Sequence, residues 1–355
     1  MNSRNSRFSE FTNKEALCLL LGALLLMIYG VMSIHQAFPP HPHEETDGED
    51  ARMYSRVIER IQAGEPYYLI VGEELRTRGY ASRPFFNWRL PTIAWTIGHL
   101  PQAEWGRWLL ILLSGISLLL WFQVMEREVG FRLALMGSVF LCGPLLLCFS
   151  EQGFYYHELW SGVMISLSLA ARARGNTTMS VIIGILAVFI RELALPFVLV
   201  MLFLAWKERR QAETLGWLAG VTAFSFALTY HASIVSGLLT PIDQVNKSWV
   251  QFGGWPFVLS TGNWNVFLLI APQWVVAIVL PLALLGMMGR RGDDGLRSSL
   301  TILLYFLAFL VAGRGNNAYW GMMYAPLVSL GLLYAIPSLV DLMRNAWSRT
   351  GVAGG

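Results

Sequence analysis

The chain reads as an all-α protein, a polytopic bundle of about ten transmembrane helices. Three observations lead there. Hydrophobic residues make up 55% of the 355 residues and charged residues 14%, against roughly 25% charged in a soluble domain. Several apolar runs reach about 20 residues, enough to cross a hydrocarbon layer of about 30 Å. Short charged clusters separate these runs, where loops belong. The net charge is only +3, and its Lys and Arg residues fall near the ends of the runs, so no nucleic-acid partner is expected. Residues 1–355 are expected to form one transmembrane domain.

Spans are expected near 16–38, 105–124, 131–149, 154–172, 177–190, 193–206, 212–232, 264–288, 296–312 and 319–341. The first follows Arg4, Arg7 and Lys14 and ends without a small-x-small cleavage site, so it should remain as an anchor. Cys18, Cys142 and Cys148 lie within apolar runs, at spacings that suit neither a zinc site nor a redox pair, and read as small hydrophobes. Leu90–Pro101 is too short to cross.

The stretch Thr177–Trp206 is one long helix or two short ones. A charge at the bilayer centre costs roughly 2.5–3.5 kcal/mol on insertion scales, and Arg191–Glu192 sits in the middle. Two helices meeting there avoid that cost. The same choice turns Lys207, Arg209, Arg210, Arg290, Arg291, Arg297, Arg344 and Arg349 to the cytoplasm and leaves only Lys247 and Arg314 outside among the later loops. Both termini are then cytoplasmic.

The first external loop, 39–104, carries the chemistry. It opens on an acidic run, His41 to Asp50, and passes into an amphipathic pattern. Met53, Tyr54, Val57, Ile58 and Ile61 form an apolar stripe, expected to lie at the membrane interface; Arg52, Ser55, Arg56, Glu59 and Arg60 fill the other face. Asp47 or Asp50 can cap this helix, and Gly64 with Pro66 ends it. A partly desolvated carboxylate there also suits a general base. Farther on, Arg76, Arg78, Arg83 and Arg89 alternate with aromatics. They can grip a phosphate through bidentate hydrogen bonds, or pair with Glu73 and Glu74, or meet anionic headgroups.

Asp50-Ala-Arg-Met-Tyr54 directly after a first span, then Gly64-Glu-Pro-Tyr67, the split at Arg191–Glu192, and Arg314 ahead of Tyr324-Ala-Pro326 together resemble the GT-C superfamily of membrane glycosyltransferases, in its bacterial members. The resemblance is one of layout across most of the chain. It implies transfer of a sugar, with inversion, from a polyprenyl-phosphate donor to an acceptor on the outer face of a bacterial inner membrane, in cell-envelope chemistry. It places the catalytic carboxylate at Asp50, with Asp47 and Glu49 as alternatives, and donor-phosphate binders among the external arginines, with Arg191 and Glu192 at the split also counted among the substrate-binding residues. The chain departs from the family pattern by having several acids in place of one clear pair and no large C-terminal external domain. The implied partners are a lipid-linked sugar, membrane lipids and an acceptor that the residues leave open.

Other features take two readings each. His157, beside Glu158 in a short external turn, is structural or lines the site; Arg314 is an interface anchor or a phosphate ligand. Trp249, Phe252, Trp255, Phe257 and Trp264 suit an aromatic belt better than sugar stacking. Asn246-Lys-Ser248 matches a glycosylation triplet. His41 and His43 make a weak metal site, so the cofactor stays unknown, a divalent metal being possible but not indicated. No His-Glu-x-x-His, Gly-x-Ser-x-Gly or Gly-rich phosphate loop occurs. The rival function is a secondary transporter or flippase with a polar pathway at Arg191, Glu192 and Arg314.

Overall fold

The computed structural model describes residues 6–34, 47–245 and 250–348, and only the backbone of 47–49. The two histidines at 41 and 43, the glycosylation triplet, Trp249, Arg349, and the side chains of Asp47 and Glu49 lie outside the described residues. The described elements are helical: α1 (Asn13–Met32), α2 (Asp47–Gln62), α3 (Tyr67–Thr77), α4 (Thr92–Gly98), α5 (Glu104–Val129), α6 (Phe131–Leu145), α7 (His157–Ala173) and α8 (Thr177–Ile190). There follow α9 (Leu195–Lys207), α10 (Gln211–Leu238), α11 (Gly254–Gly262), α12 (Val266–Leu269), α13 (Gln273–Gly289), α14 (Asp293–Val311) and α15 (Ala325–Trp347).

Six stretches, led by α1, α5, α6 with its continuation to Phe149, α10, α14 and α15, are long and apolar enough to cross a membrane. Leu24 and Leu25 of α1, Leu119 of α5 and Phe226 of α10 point outward, as lipid-facing residues must. By contrast α7 is buried along nearly its whole length, with α5, α8, α14 and α15 packed against it.

Two expected spans differ in detail. The segment near 264–288 is broken: Asn265 caps the short α12 by accepting the Phe267 N–H (2.9 Å), and Pro272 then starts α13 afresh. The segment near 319–341 begins as a 3-10 run, Gly315–Met323, before α15. That run packs tightly against α7 and α11. A Cβ at Gly162 would strike the Met322 carbonyl and one at Gly321 the Thr261 carbonyl, so only glycine fits at either position.

The stretch 177–206 does break. Helix α8 ends at Ile190, Arg191 is extended (φ −146°, ψ 117°), and a turn at Glu192–Ala194 leads into α9. At 1.5 Å per residue, a 14-residue α8 is about 21 Å long, short of the roughly 30 Å hydrocarbon layer. The break therefore sits in from the ends of the longer helices. Thr92 donates to the Phe189 carbonyl (2.7 Å), so the first loop and the break meet on one side.

Helix α2 is amphipathic as expected, yet its apolar stripe does not face lipid. Met53, Val57, Ile58 and Ile61 are buried within the protein, and α4 lies over them. The reason is local. Gly98 of α4 has no side chain where Ile61 presses in, so the two helices close on each other. Gly64 (φ +89°) ends α2, its N–H bonded to the Ile61 carbonyl.

Away from the first loop, the bundle is tied by buried ion pairs. Arg172, near the C-terminal end of α7, donates to Glu213 (2.8 Å) and Asp294 (3.3 Å). Arg297 grips both oxygens of Glu208 (2.9 Å each). Arg290 holds both oxygens of Glu128 (3.1 and 2.6 Å) over the Trp121 ring.

Candidate active site

Five elements converge at the opposite end of α7: α2 with Asp50 and Tyr54, the segment after α3 with Tyr80 and Arg89, the start of α7 with His157 and Glu158, the α8–α9 break with Arg191 and Glu192, and the 3-10 run with Tyr319. Extended backbone at Tyr156 (φ −81°, ψ 112°), directly before α7, and at Arg191 in the break brings these charged side chains together.

Arg191 lies between two acids. Its Nε donates to Glu158 (2.6 Å), and another of its nitrogens bonds to Glu192. Arg89 stands over the same pair at longer range, 4.0 Å from Glu158 and 3.9 Å from Glu192. Its Nε donates to the Tyr54 hydroxyl (3.1 Å), while its own carbonyl accepts from Tyr67 (2.6 Å). The backbone and the head of Arg89 are thus both fixed.

Asp50 completes the group as a third carboxylate beside two arginines. It makes no ion pair within 4 Å among the described residues. Instead the Tyr80 hydroxyl donates to one oxygen (2.9 Å) and the Tyr319 hydroxyl lies 3.4 Å from the other. Burial pushes the Asp50 carboxyl above its usual range, and the Tyr80 hydrogen bond and the Arg89 charge hold it back. Both of its oxygens thus face tyrosine hydroxyls inside the cluster, and among the described residues no backbone N–H donates to them.

His157 is buried beside this cluster, its ring edge-on to Tyr54 at 4.8 Å between centroids. Neither ring nitrogen has a hydrogen-bond partner among the described residues. The Tyr155 backbone comes near without reaching good geometry. Among the described residues, no group of three or more His, Cys, Asp or Glu stands in a metal-holding arrangement.

Of the arginines singled out in the sequence, Arg89 and Arg191 enter the cluster. The others do not. Arg76 forks onto Asp243 (2.9 and 3.0 Å) and holds that carboxyl far below the usual range. Arg78 pairs with Glu74 one turn earlier (3.0 Å), and Arg83 donates to the Thr240 carbonyl (3.2 Å). Arg314 opens the 3-10 run that carries Tyr319, its backbone N–H on Asn317 (3.1 Å). Arg78 also lines an open groove of about 600 Å³ with Arg52, Ser55 and Arg56. Those α2 residues lie on the helix face away from Asp50, about half a turn round.

Three members of the cluster escaped the sequence reading as site residues: Tyr54, Tyr80 and Tyr319. One signal was present. Asp50 and Tyr54 stand four apart, which puts them on one face of a helix.

No protein-family model matches the chain, and no curated protein matches it. A solved structure does. The chain is similar to ArnT from Cupriavidus metallidurans in the apo state, at 14% identity over 90% of this chain with a TM-score of 0.48. It spans 59% of the length of that structure.

Proposed function

We propose that the chain is an inverting membrane glycosyltransferase in which Asp50 is the general base. The observation that carries this reading is the uneven charge of the cluster: three carboxylates share two arginines, and Asp50 is the carboxylate left to hydroxyl partners. A carboxylate so placed is basic enough to take a proton and close enough to protein charge to be held still. The reaction follows from that. Asp50 takes the proton of an acceptor hydroxyl, whose oxygen forms a bond to the anomeric carbon as the bond from that carbon to the phosphate oxygen breaks. The electron pair leaves with the polyprenyl phosphate, and a positive side chain nearby stabilises it. Arg89 is the best placed: its contacts to both glutamates are long, so its terminal nitrogens can bind a phosphate without breaking a short ion pair while Nε stays on Tyr54.

The loop 39–104 and the cluster then face the non-cytoplasmic side of a bacterial inner membrane, as the positive-inside count over the later loops supports; the arginines of this loop itself run against the rule, and a loop of this length translocates largely regardless of charge. The lipid donor reaches the site from the bilayer. The test is Asp50→Asn, assayed with a panel of polyprenyl-phosphate sugars. Asn keeps the shape of Asp but cannot accept the proton, so transfer should fall about a hundredfold or more with the protein still folded and binding donor. Near-normal turnover in Asp50→Asn removes it as base. Purified protein that moves a solute through liposomes and transfers no sugar would overturn the enzyme reading in favour of a transporter.

A further inference from the structure

Resting on the glycosyltransferase reading, we propose that His157 binds a hydroxyl group of the donor sugar and so helps to decide which sugar the site accepts. Every other buried charged group of the cluster has a partner: Glu158 and Glu192 have arginines, Arg89 and Arg191 have acids and a tyrosine, and Asp50 has two hydroxyls. His157 is 2% exposed, and among the described residues neither ring nitrogen meets a partner in hydrogen-bonding geometry. Buried polar groups in native interiors are nearly always paired, and an exception points to a missing partner.

The position of the ring says where that partner comes from. His157 lies against Tyr54, and Tyr54 is one helical turn from Asp50 on the same face of α2. A group bound to His157 is therefore a near neighbour of the group that meets the base. The chemistry of the ring says what the partner is. A neutral imidazole offers one N–H and one lone pair, and a sugar hydroxyl offers the matching acceptor and donor. A phosphate only accepts, so it would leave one ring nitrogen unpaired. The phosphate also has guanidinium groups available in Arg89 and Arg191.

The test uses the full-length protein in nanodiscs and two kinds of probe: bare polyprenyl phosphate, and the same lipid carrying one mannose, glucose or arabinose. His157→Phe keeps a ring of similar size and removes both nitrogens. It should unfold at the same temperature as the wild type or higher, bind bare polyprenyl phosphate unchanged, and lose about tenfold or more of its preference for the best sugar-bearing lipid. His157→Gln, which restores a donor and an acceptor, should recover part of that preference. Equal loss on bare and sugar-bearing lipid would assign the ring to the phosphate and overturn the proposal. A lowered unfolding temperature with unchanged sugar preference would make His157 a packing residue. In either case transfer and its loss in Asp50→Asn still stand. If the wild type binds neither kind of lipid, the glycosyltransferase reading falls, and this proposal falls with it.

Discussion

Helix α7 carries charge into the interior at both ends, and the two ends handle it differently. Near its C-terminal end Arg172 enters a cluster in which each carboxylate meets a guanidinium at short range, and Arg297 and Arg290 are each held by two parallel hydrogen bonds. About 21 Å away, taking 1.5 Å per residue from Glu158 to Arg172, its N-terminal end enters a cluster with a carboxylate free of ion pairs and an imidazole with no hydrogen bond among the described residues. Leftover donors occur at the first end too, yet Arg290 Nη1 and Arg297 Nε belong to arginines already held by two hydrogen bonds to one carboxylate. The first arrangement spends its charge on holding helices together. The second keeps reactive capacity unused, which suits a site awaiting a ligand.

The comparison is broken most directly by removing one charge from each end. Arg172→Met strips the buried Glu213 of its ion-pair partner, and breaking a buried pair in this way costs about 3–5 kcal/mol. Thermal unfolding in detergent should show that loss, with activity falling only as folded protein is lost. Asp50→Asn should do the reverse, leaving stability level or improved while transfer fails. The sign follows from the raised carboxyl: an acid whose folded value lies above its unfolded value costs the fold stability at pH above the folded value, and that cost vanishes once pH drops below the unfolded one. Replacing the acid removes the cost at neutral pH. Similar melting losses for both variants would erase the distinction between the two clusters.

The pH profile sharpens it further. With Asp50 as base, transfer should rise with pH through a carboxyl midpoint above the ordinary aspartate value, because the protonated form cannot take a proton. Tyr80→Phe removes the hydroxyl that favours the carboxylate. A hydrogen bond to a charged group contributes on the order of 1.5 kcal/mol, so the acid limb should move up by about one pH unit. An unmoved limb with a simple fall in rate would mean that Tyr80 does not tune the base.

How much of this was legible beforehand depends on whether the signal was local. The helices, the break at Arg191–Glu192 and the amphipathic face of α2 follow from runs and periods that a short window contains. The pairing of Arg76 with Asp243 does not, since the two are 167 positions apart and only the path of the chain brings them together. For the same reason Arg76, Arg78, Arg83 and Arg89 looked alike in sequence, although only Arg89 reaches the acids of α7 and of the break. The tyrosines were hidden in another way. Near a bilayer, an aromatic residue is explained well enough by the interface, so Tyr80 and Tyr319 carried no mark of their contact with Asp50.

The smallest effect is expected at Arg78, and it decides what the outer groove is for. Its partner Glu74 is one turn away on the same helix, and the arginine is about a third exposed, a setting in which an ion pair contributes roughly 0–1 kcal/mol. Arg78→Ala should therefore change the unfolding temperature little and leave donor affinity within about twofold, within the scatter expected of surface substitutions. Arg89→Ala should weaken donor use by far more, because Arg89 stands among the acids and Tyr54 with its head fixed. Measured side by side on the same lipid-linked sugar, the two variants separate the inner and outer faces of α2. A tenfold loss at Arg78 with Arg89→Ala intact would move the donor phosphate to the groove lined by Arg52 and Arg56, on the face of α2 turned away from Asp50. The base would then have to be sought among the acids lining that groove, Glu59 and Glu74.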